Sequence, residues 1–403
     1  MCSRHSLLNH QALRVLPVLI LSISAAPARA DWRIEPSVAA GLEYDDNVVL
    51  LPVSGVDTSD TAYVLAALVD FINKTPTTET TFTPEVISRH YQDLTDLDSN
   101  DWFLRLNHTY TGQRSRFNLR GSYSDETARI AERSDVNFDI TDPTDIPADN
   151  SGRVLATEKR KRFMLRPDWS YKASQRTRVV LGADFIDTSY DQSTLSLNSD
   201  YRQLTGRAGL EFASSQRNTV GVTGYFRRNE FAAVPDTISG YGGLLSFQRS
   251  TGEHSRVLVS AGVDSTEDEV GERQTNPVGE ISYVSNLERS RVLVAYQRIV
   301  SGSGTSAIDV RDAVSVNLFH DVSQKLVVGA GIRAYQSTPL DKNTTTLDDR
   351  KYFEIRGLLR WRFTRTFAMD FDYRYTNLDR QSLPNNADSN RINLWLRYSP
   401  NAR

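Results

Sequence analysis

Lys351–Thr376 reads KYFEIRGLLRWRFTRTFAMDFDYRYT, and its alternation decides the fold. The odd positions are Phe353, Ile355, Gly357, Leu359, Trp361 and Phe363, then Phe367, Met369, Phe371, Tyr373 and Tyr375. The even positions carry Glu354, Arg356, Leu358, Arg360 and Arg362, then Ala368, Asp370, Asp372, Arg374 and Thr376. Successive strand side chains point to opposite faces, so this is a tight hairpin about Thr364-Arg365-Thr366 with one apolar and one charged face. A soluble sheet buries the apolar face in a core, whereas a membrane barrel turns it to lipid and the polar face to a lumen. The rest of the chain chooses between the two.

The same alternation recurs from end to end. Leu104, Leu106 and Tyr110 oppose Arg105, Asn107 and Thr109, and Phe117, Leu119 and Tyr123 oppose Asn118, Arg120 and Ser122. Segments of this kind are separated alternately by short polar turns and longer loops. The short turns are Lys74–Glu79, Gly112–Ser115, Ala173–Arg176, Ser214–Asn218, Ser250–His254, Asn286–Ser290, Asp321–Gln324 and Thr364–Thr366. The pattern predicts about eighteen strands joined by eight short turns and nine longer loops in strict alternation. Eighteen strands in one open sheet would leave exposed edges, and stacked sandwiches would not produce this asymmetry of connections. The fold class is therefore all-β: a transmembrane, antiparallel, up-and-down β-barrel with short periplasmic turns and longer extracellular loops.

Residues 1–30 read as a signal peptide. Arg4 and Arg14 precede the short apolar run Val15–Ala26, and Ala28-Arg29-Ala30 fits small-x-small cleavage. The barrel then occupies 31–403. The single cysteine, Cys2, lies in the leader, so the exported chain holds together by size and backbone pairing rather than disulfides. The formal net charge of −3 is spread rather than blocked and argues against nucleic acid. Trp102, Trp169 and Trp361, with Tyr44, Tyr91, Tyr110, Tyr171 and Tyr190, lie near strand ends, where interfacial girdles are expected.

Chemistry-bearing constellations are sparse. By phase His108, His320 and His90 fall on the apolar face, and His254 sits in a turn, so no histidine shares the lumen with a nucleophile. No metal cluster or cofactor motif is expected, and SGSGTS at Ser301–Ser306 is a loop between strands rather than a phosphate-cradling turn. The acidic Thr127–Glu158 loop lacks calcium-ligand spacing. The polar face is instead rich in arginine: Arg105, Arg120, Arg166, Arg207, Arg227, Arg333, Arg356, Arg360, Arg362, Arg374 and Arg397, with Glu211, Glu354, Asp370 and Asp372. Two accounts stand open. Rings of arginine select anions in a pore, or the arginines pair with Glu211, Glu354, Asp184, Asp370 and Asp372 to stiffen the wall.

The opening Ile34-Glu35-Pro36-Ser37 through Gly41-Leu42-Glu43-Tyr44-Asp45-Asp46-Asn47 resembles that of β-barrel porins associated with exopolysaccharide and exosortase systems. The closing Phe371-Asp372-Tyr373-Arg374-Tyr375 and Asn393-Leu394-Trp395-Leu396-Arg397-Tyr398 are also similar. The resemblance implies an outer-membrane channel for polysaccharide export, in contact with outer-membrane lipid, a polysaccharide and periplasmic export components. A general diffusion porin, and a structural or adhesive barrel with a plugged lumen, are the alternatives. An enzyme is not expected.

Overall fold

The computed structural model describes residues 31–50, 58–133, 158–191, 198–232, 237–267, 272–340, 349–380 and 386–400. Residues 1–30, expected to form the signal peptide, and most of the Thr127–Glu158 loop lie outside the described residues. Eighteen strands follow one another: β1 (Asp31–Asp45), β2 (Asp60–Lys74), β3 (Thr78–Tyr91), β4 (Ser99–Thr111), β5 (Ser115–Thr127), β6 (Lys159–Lys172), β7 (Thr177–Tyr190), β8 (Tyr201–Ala213) and β9 (Asn218–Phe231). The second half contains β10 (Thr237–Ser250), β11 (Ser255–Glu267), β12 (Arg273–Asn286), β13 (Ser290–Ser303), β14 (Ala307–Asp321), β15 (Leu326–Pro339), β16 (Arg350–Arg362), β17 (Phe367–Arg380) and β18 (Ala387–Tyr398). One short helix, α1 (Ala128–Ala131), follows β5.

Each strand pairs antiparallel with its neighbours in sequence, and β1 pairs with both β2 and β18, closing the barrel. Closure leaves no continuous sheet edge. At the closing seam Gly41 lies under Trp395, where an added Cβ would sit 2.5 Å from the Leu394 carbonyl oxygen and 2.9 Å from the indole. Glycine is required there by that close approach.

Strand prolines mark gaps in the ladder. Pro36 lies in β1 before the β18 register begins at Val38. Pro84 and Pro167 sit where the β2–β3 and β6–β7 registers each skip residues. Pro277 of β12 lies beyond the last β12–β13 pair, Gly279 with Arg298. Proline brings no N–H to a ladder, so it settles where pairing on one side is absent.

The quoted hairpin lies as its parity predicts. Phe353, Ile355, Leu359, Trp361, Phe367, Phe371 and Tyr373 are exposed on the outside, while Glu354, Asp370 and Asp372 are buried inside. Leu42, Leu65, Leu104, Leu181, Leu210, Val222, Leu245, Ile281, Val294, Leu318, Ile332 and Leu394 continue this exposed apolar band around the barrel. Aromatic residues bound it at both ends. Near the short turns Phe363 stacks on Phe367, and Phe367 meets Tyr398 with ring centres 4.9 Å apart. Toward the loops, Tyr296, Tyr373 and Tyr375 donate hydroxyl hydrogen bonds to Asp312, Asn390 and Asp388. An apolar body with a polar tip suits such a boundary. Tyr91 and Tyr190 do not belong to the girdle: both point inward and are buried, because their parity sets them on the lumen face.

The alternation of connections fails once. Between β13 and β14 only residues 304–306 separate two strands that pair to the tip, Ser303 with Ala307, so Ser301–Ser306 is not a long loop. Ser306 closes this turn with a positive φ of 63°.

Candidate functional site

The lumen has two halves of different character. Nearer the short turns, its wall is a ladder of ion pairs. Arg360 Nε donates to Asp370 at 2.9 Å, and Arg397 reaches the same carboxylate at 3.2 Å. Arg356 holds Asp372 at 2.6 Å, Asn393 donates to it at 3.1 Å, and Arg374 lies 3.8 Å from Glu354. Across the barrel Arg105 pairs with Glu85, Arg207 bridges Asp168 and Asp184, Arg166 meets Asp184 at 3.0 Å, and Arg120 lies 3.8 Å from Asp168. Glu211 is held by Arg178 at 2.9 Å. Arg362 sits exposed at the strand end on the same inward phase.

Within these pairs the guanidinium is generally the more exposed partner. The Arg397 side chain is 37% exposed and that of Asp370 6%; for Arg105 and Glu85 the values are 42% and 15%. The carboxylates lie against the wall and the longer arginines cover them. Nine arginines share seven carboxylates in these pairs, and the surface offered to the lumen is rich in N–H donors.

Nearer the long loops the lumen is packed. Arg133, just past α1, donates to Asp45 at 2.8 Å and to the Asn47 and Val48 carbonyls, both at 2.6 Å. Burial pulls the Arg133 pKa below its ordinary value, and Asp45 opposes that shift. Arg129 donates to Tyr91 Oη at 2.8 Å with its guanidinium over the ring. Glu132 accepts from Arg160 at 3.1 Å and from Tyr190 Oη at 2.8 Å, and Arg160 also holds Glu126 at 3.0 Å. Leu50, at a positive φ of 50°, packs against Ala313, Tyr335, Tyr352, Leu378 and Ala387. The start of the Thr127–Glu158 loop thus folds inward and ties β1, β3, β5, β6 and β7 together.

The β13–β14 tip crosses the lumen. Arg227 of β9 donates to the Val300 carbonyl and holds Asp264 at 3.1 Å. The Ser199 N–H donates to the Gly304 carbonyl at 2.8 Å. A Cβ at Gly304 would overlap the Tyr190 hydroxyl, and one at Gly302 would lie 3.0 Å from Asn229 Oδ1. The two glycines of SGSGTS serve this close approach rather than a phosphate. Val300, Ile308 and Val310 pack with Ile186, Tyr190, Tyr201, Phe231, Ile238 and Val278 in a dry cluster inside the barrel. Arg350 pairs with Asp309 at the base of the bridge, while Arg311 and Arg333 lie over the Tyr335 ring.

Beneath the bridge lies a chamber of about 530 Å³. Arg120, Arg166, Arg207, Arg227 and Arg298 line it with Asp168, Asp184, Glu280, Tyr225, Gln203 and Gln297, and with the apolar Ile186, Leu244, Val278 and Val300.

All fifteen polar-face residues singled out in the sequence lie on the inward phase, although Arg227, Arg333, Glu354, Asp370 and Asp372 are buried rather than open to the lumen. Arg89, Arg160, Arg311, Arg350 and Arg391 belong with them and share their parity; carrying the alternation to the strand ends finds them. Arg129 and Arg133 have no such signal, because their partners are distant in sequence. Among the described residues no His, Cys, Asp and Glu cluster has the makings of a metal site.

No family model matches the sequence, and no curated protein matches it significantly. Among solved structures the chain is similar to Pseudomonas aeruginosa OccK2 (OpdF) in complex with glucuronate, at 10% identity and a TM-score of 0.47, with 92% of this chain and 98% of that one covered. A BenF-like porin from Pseudomonas fluorescens Pf-5 also scores 0.47 at 10% identity, covering 92% and 99%. The Pseudomonas aeruginosa outer membrane protein OpdK scores 0.45 at 10% identity, covering 92% and 98%. At these values the likeness carries no argument about function, and the closed barrel rests on its own strand pairing.

Proposed function

We propose that this chain is an outer-membrane channel that passes small hydrophilic solutes and favours anions. Residues 1–30 serve as its export signal, and the apolar outer band takes outer-membrane lipid as its partner. The observation that carries the reading is the exposure of arginine over buried carboxylate along the open half of the lumen. A barrel of this strand number is wide enough for an aqueous passage, and donors fixed on its wall favour a passing anion. Paired arginines keep part of that pull, because the carboxylate beneath is screened by the cation above it.

Polysaccharide export, which the resemblance implies, draws no support from the described lumen, where a packed bridge crosses the path. General diffusion of small solutes fits the same wall. Liposome swelling with purified protein tests the reading, using an anionic and a cationic solute of matched size. The anion is expected to enter faster; liposomes impermeable to both, or faster to the cation, would refute it.

A further inference from the structure

The β13–β14 hairpin leaves the wall before it ends. Val294, Tyr296, Val314 and Leu318 set the outward phase of its strands, and all four are exposed. Val300, Ile308 and Val310 share that phase, yet they are buried inside the barrel with Ile186 and Val278. The β12–β13 ladder accordingly stops at Gly279 with Arg298, although β12 begins at Arg273 and β13 ends at Ser303. Pro277 follows just past that last pair and brings no N–H to a ladder, so the seam is built to stay parted. Toward the rim the parting is bounded again, where Gln274 Nε2 of β12 donates to the Leu340 carbonyl beyond β15 at 3.4 Å. The wall therefore holds a window, with Gly279 and Arg298 as its sill and Gln274 with Leu340 as its lintel.

The chamber beneath the bridge reaches this window. Both sides of the parted seam line it, Val278 and Gly279 from β12 and Arg298, Ile299 and Val300 from β13. Arg298 also belongs to the outer face: its guanidinium donates to Asp312 at 3.1 Å, and Asp312 accepts from the boundary residue Tyr296. One residue thus touches both the chamber and the outer boundary. The chamber is itself two-sided. Arg120, Arg166 and Arg207 come from β5, β6 and β8, whereas Leu244, Val278, Ile299 and Val300 come from β10, β12 and β13, on the side of the window. Five arginines line it against three carboxylates, Asp168, Asp184 and Glu280.

We propose that the chamber binds a single-chain amphiphile with an anionic head, taken from the outer leaflet through the window between β12 and β13. The head lies among Arg120, Arg166 and Arg207, and the chain runs over Leu244, Val278 and Ile299 toward lipid. A wholly polar solute would leave the apolar side unmatched, and an uncharged lipid would leave the guanidinium side unmatched. The volume of about 530 Å³ is that of a small-ligand site. This goes beyond the channel reading, because the ligand enters through the wall and need not cross the lumen.

Purified protein in lipid nanodiscs is titrated with dansyl-labelled undecanoate, and the signal of empty discs is subtracted. A saturable rise in fluorescence is expected. Dodecanoate should displace the probe about tenfold better than butyrate, which lacks the chain, and than dodecyltrimethylammonium, which carries the opposite charge. Arg207→Gln should weaken probe binding. Cys2 is the only cysteine, so Cys2→Ser with Ile299→Cys leaves one thiol, at the window. Alkylating it with N-benzylmaleimide after folding should weaken probe binding about tenfold while liposome swelling with the small anion stays as in the parent. No saturable rise, equal displacement by butyrate or by the cation, or binding indifferent to Arg207→Gln or to alkylation overturns the proposal. A thiol that the maleimide does not reach, or swelling lost together with binding, overturns the window. Chain-dependent binding in a protein that passes no solute overturns the channel reading and leaves this site standing.

Discussion

Near the short turns Arg360 and Arg397 share Asp370 with their guanidinium tips open to the lumen, whereas near the loops Arg160 clasps Glu126 and Glu132 with almost no exposure. The chemistry of the pairs is the same and the surroundings are not. In the open half water reaches the guanidinium and competes for it, and Asp370 keeps a second arginine when one is lost, so a pair contributes about 1 kcal/mol. In the packed half, losing one partner strands a buried charge, and the cost rises to about 3–5 kcal/mol. One barrel therefore uses arginine in two ways, as a lumen surface at one end and as a structural tie at the other.

The sharpest way to break this comparison is Glu132→Ala. It strips Arg160 and Tyr190 of a shared acceptor, and equilibrium unfolding in detergent or lipid should show a loss of about 3–5 kcal/mol. A loss below about 1 kcal/mol would mean that water reaches the packed half after all. Next in size is Leu359→Arg on the outer face, expected to cost about 2–4 kcal/mol near the bilayer midplane. If that variant were neutral, the apolar band would not face lipid. Tyr190→Phe keeps the ring and removes only the hydroxyl bond to Glu132, so about 1.5–3 kcal/mol is expected from the same unfolding experiment. Smallest is Arg397→Gln, because Arg360 still holds Asp370: stability should move by less than about 1 kcal/mol. Its swelling rate for the anionic solute should nonetheless fall. A large stability loss with unchanged solute preference would assign the open ladder to the wall rather than to the lumen.

Much of this was legible in the sequence, and for one reason. A period of two carries the inside and outside of every strand, so Phe353 and Arg356 declare their faces without any knowledge of neighbours. The same parity places Arg160 and Arg391 inside once it is followed to the strand ends. Tyr91 and Tyr190 were misleading because residue type near a strand end suggested a girdle, while parity set them in the lumen. The bridge was not legible. Ser301–Ser306 has the composition of any loop, and its path is set by Tyr190, Ser199 and Arg227, which lie far away in sequence. Arg133 is the same case, since Asp45 gives no local sign of a partner reaching it from beyond β5. Pro277 was the one visible hint, a residue that tolerates a strand only where a neighbour is absent.

The open half of the lumen presents guanidinium to solute although wall carboxylates such as Glu85 and Asp370 are paired with arginine. Reversal potential of the purified protein in a planar bilayer under a KCl gradient tests it most directly. The potential is expected on the chloride side of zero and should move toward zero in Arg397→Gln and Arg105→Gln. A potential on the potassium side, or one that neither substitution moves, would contradict it.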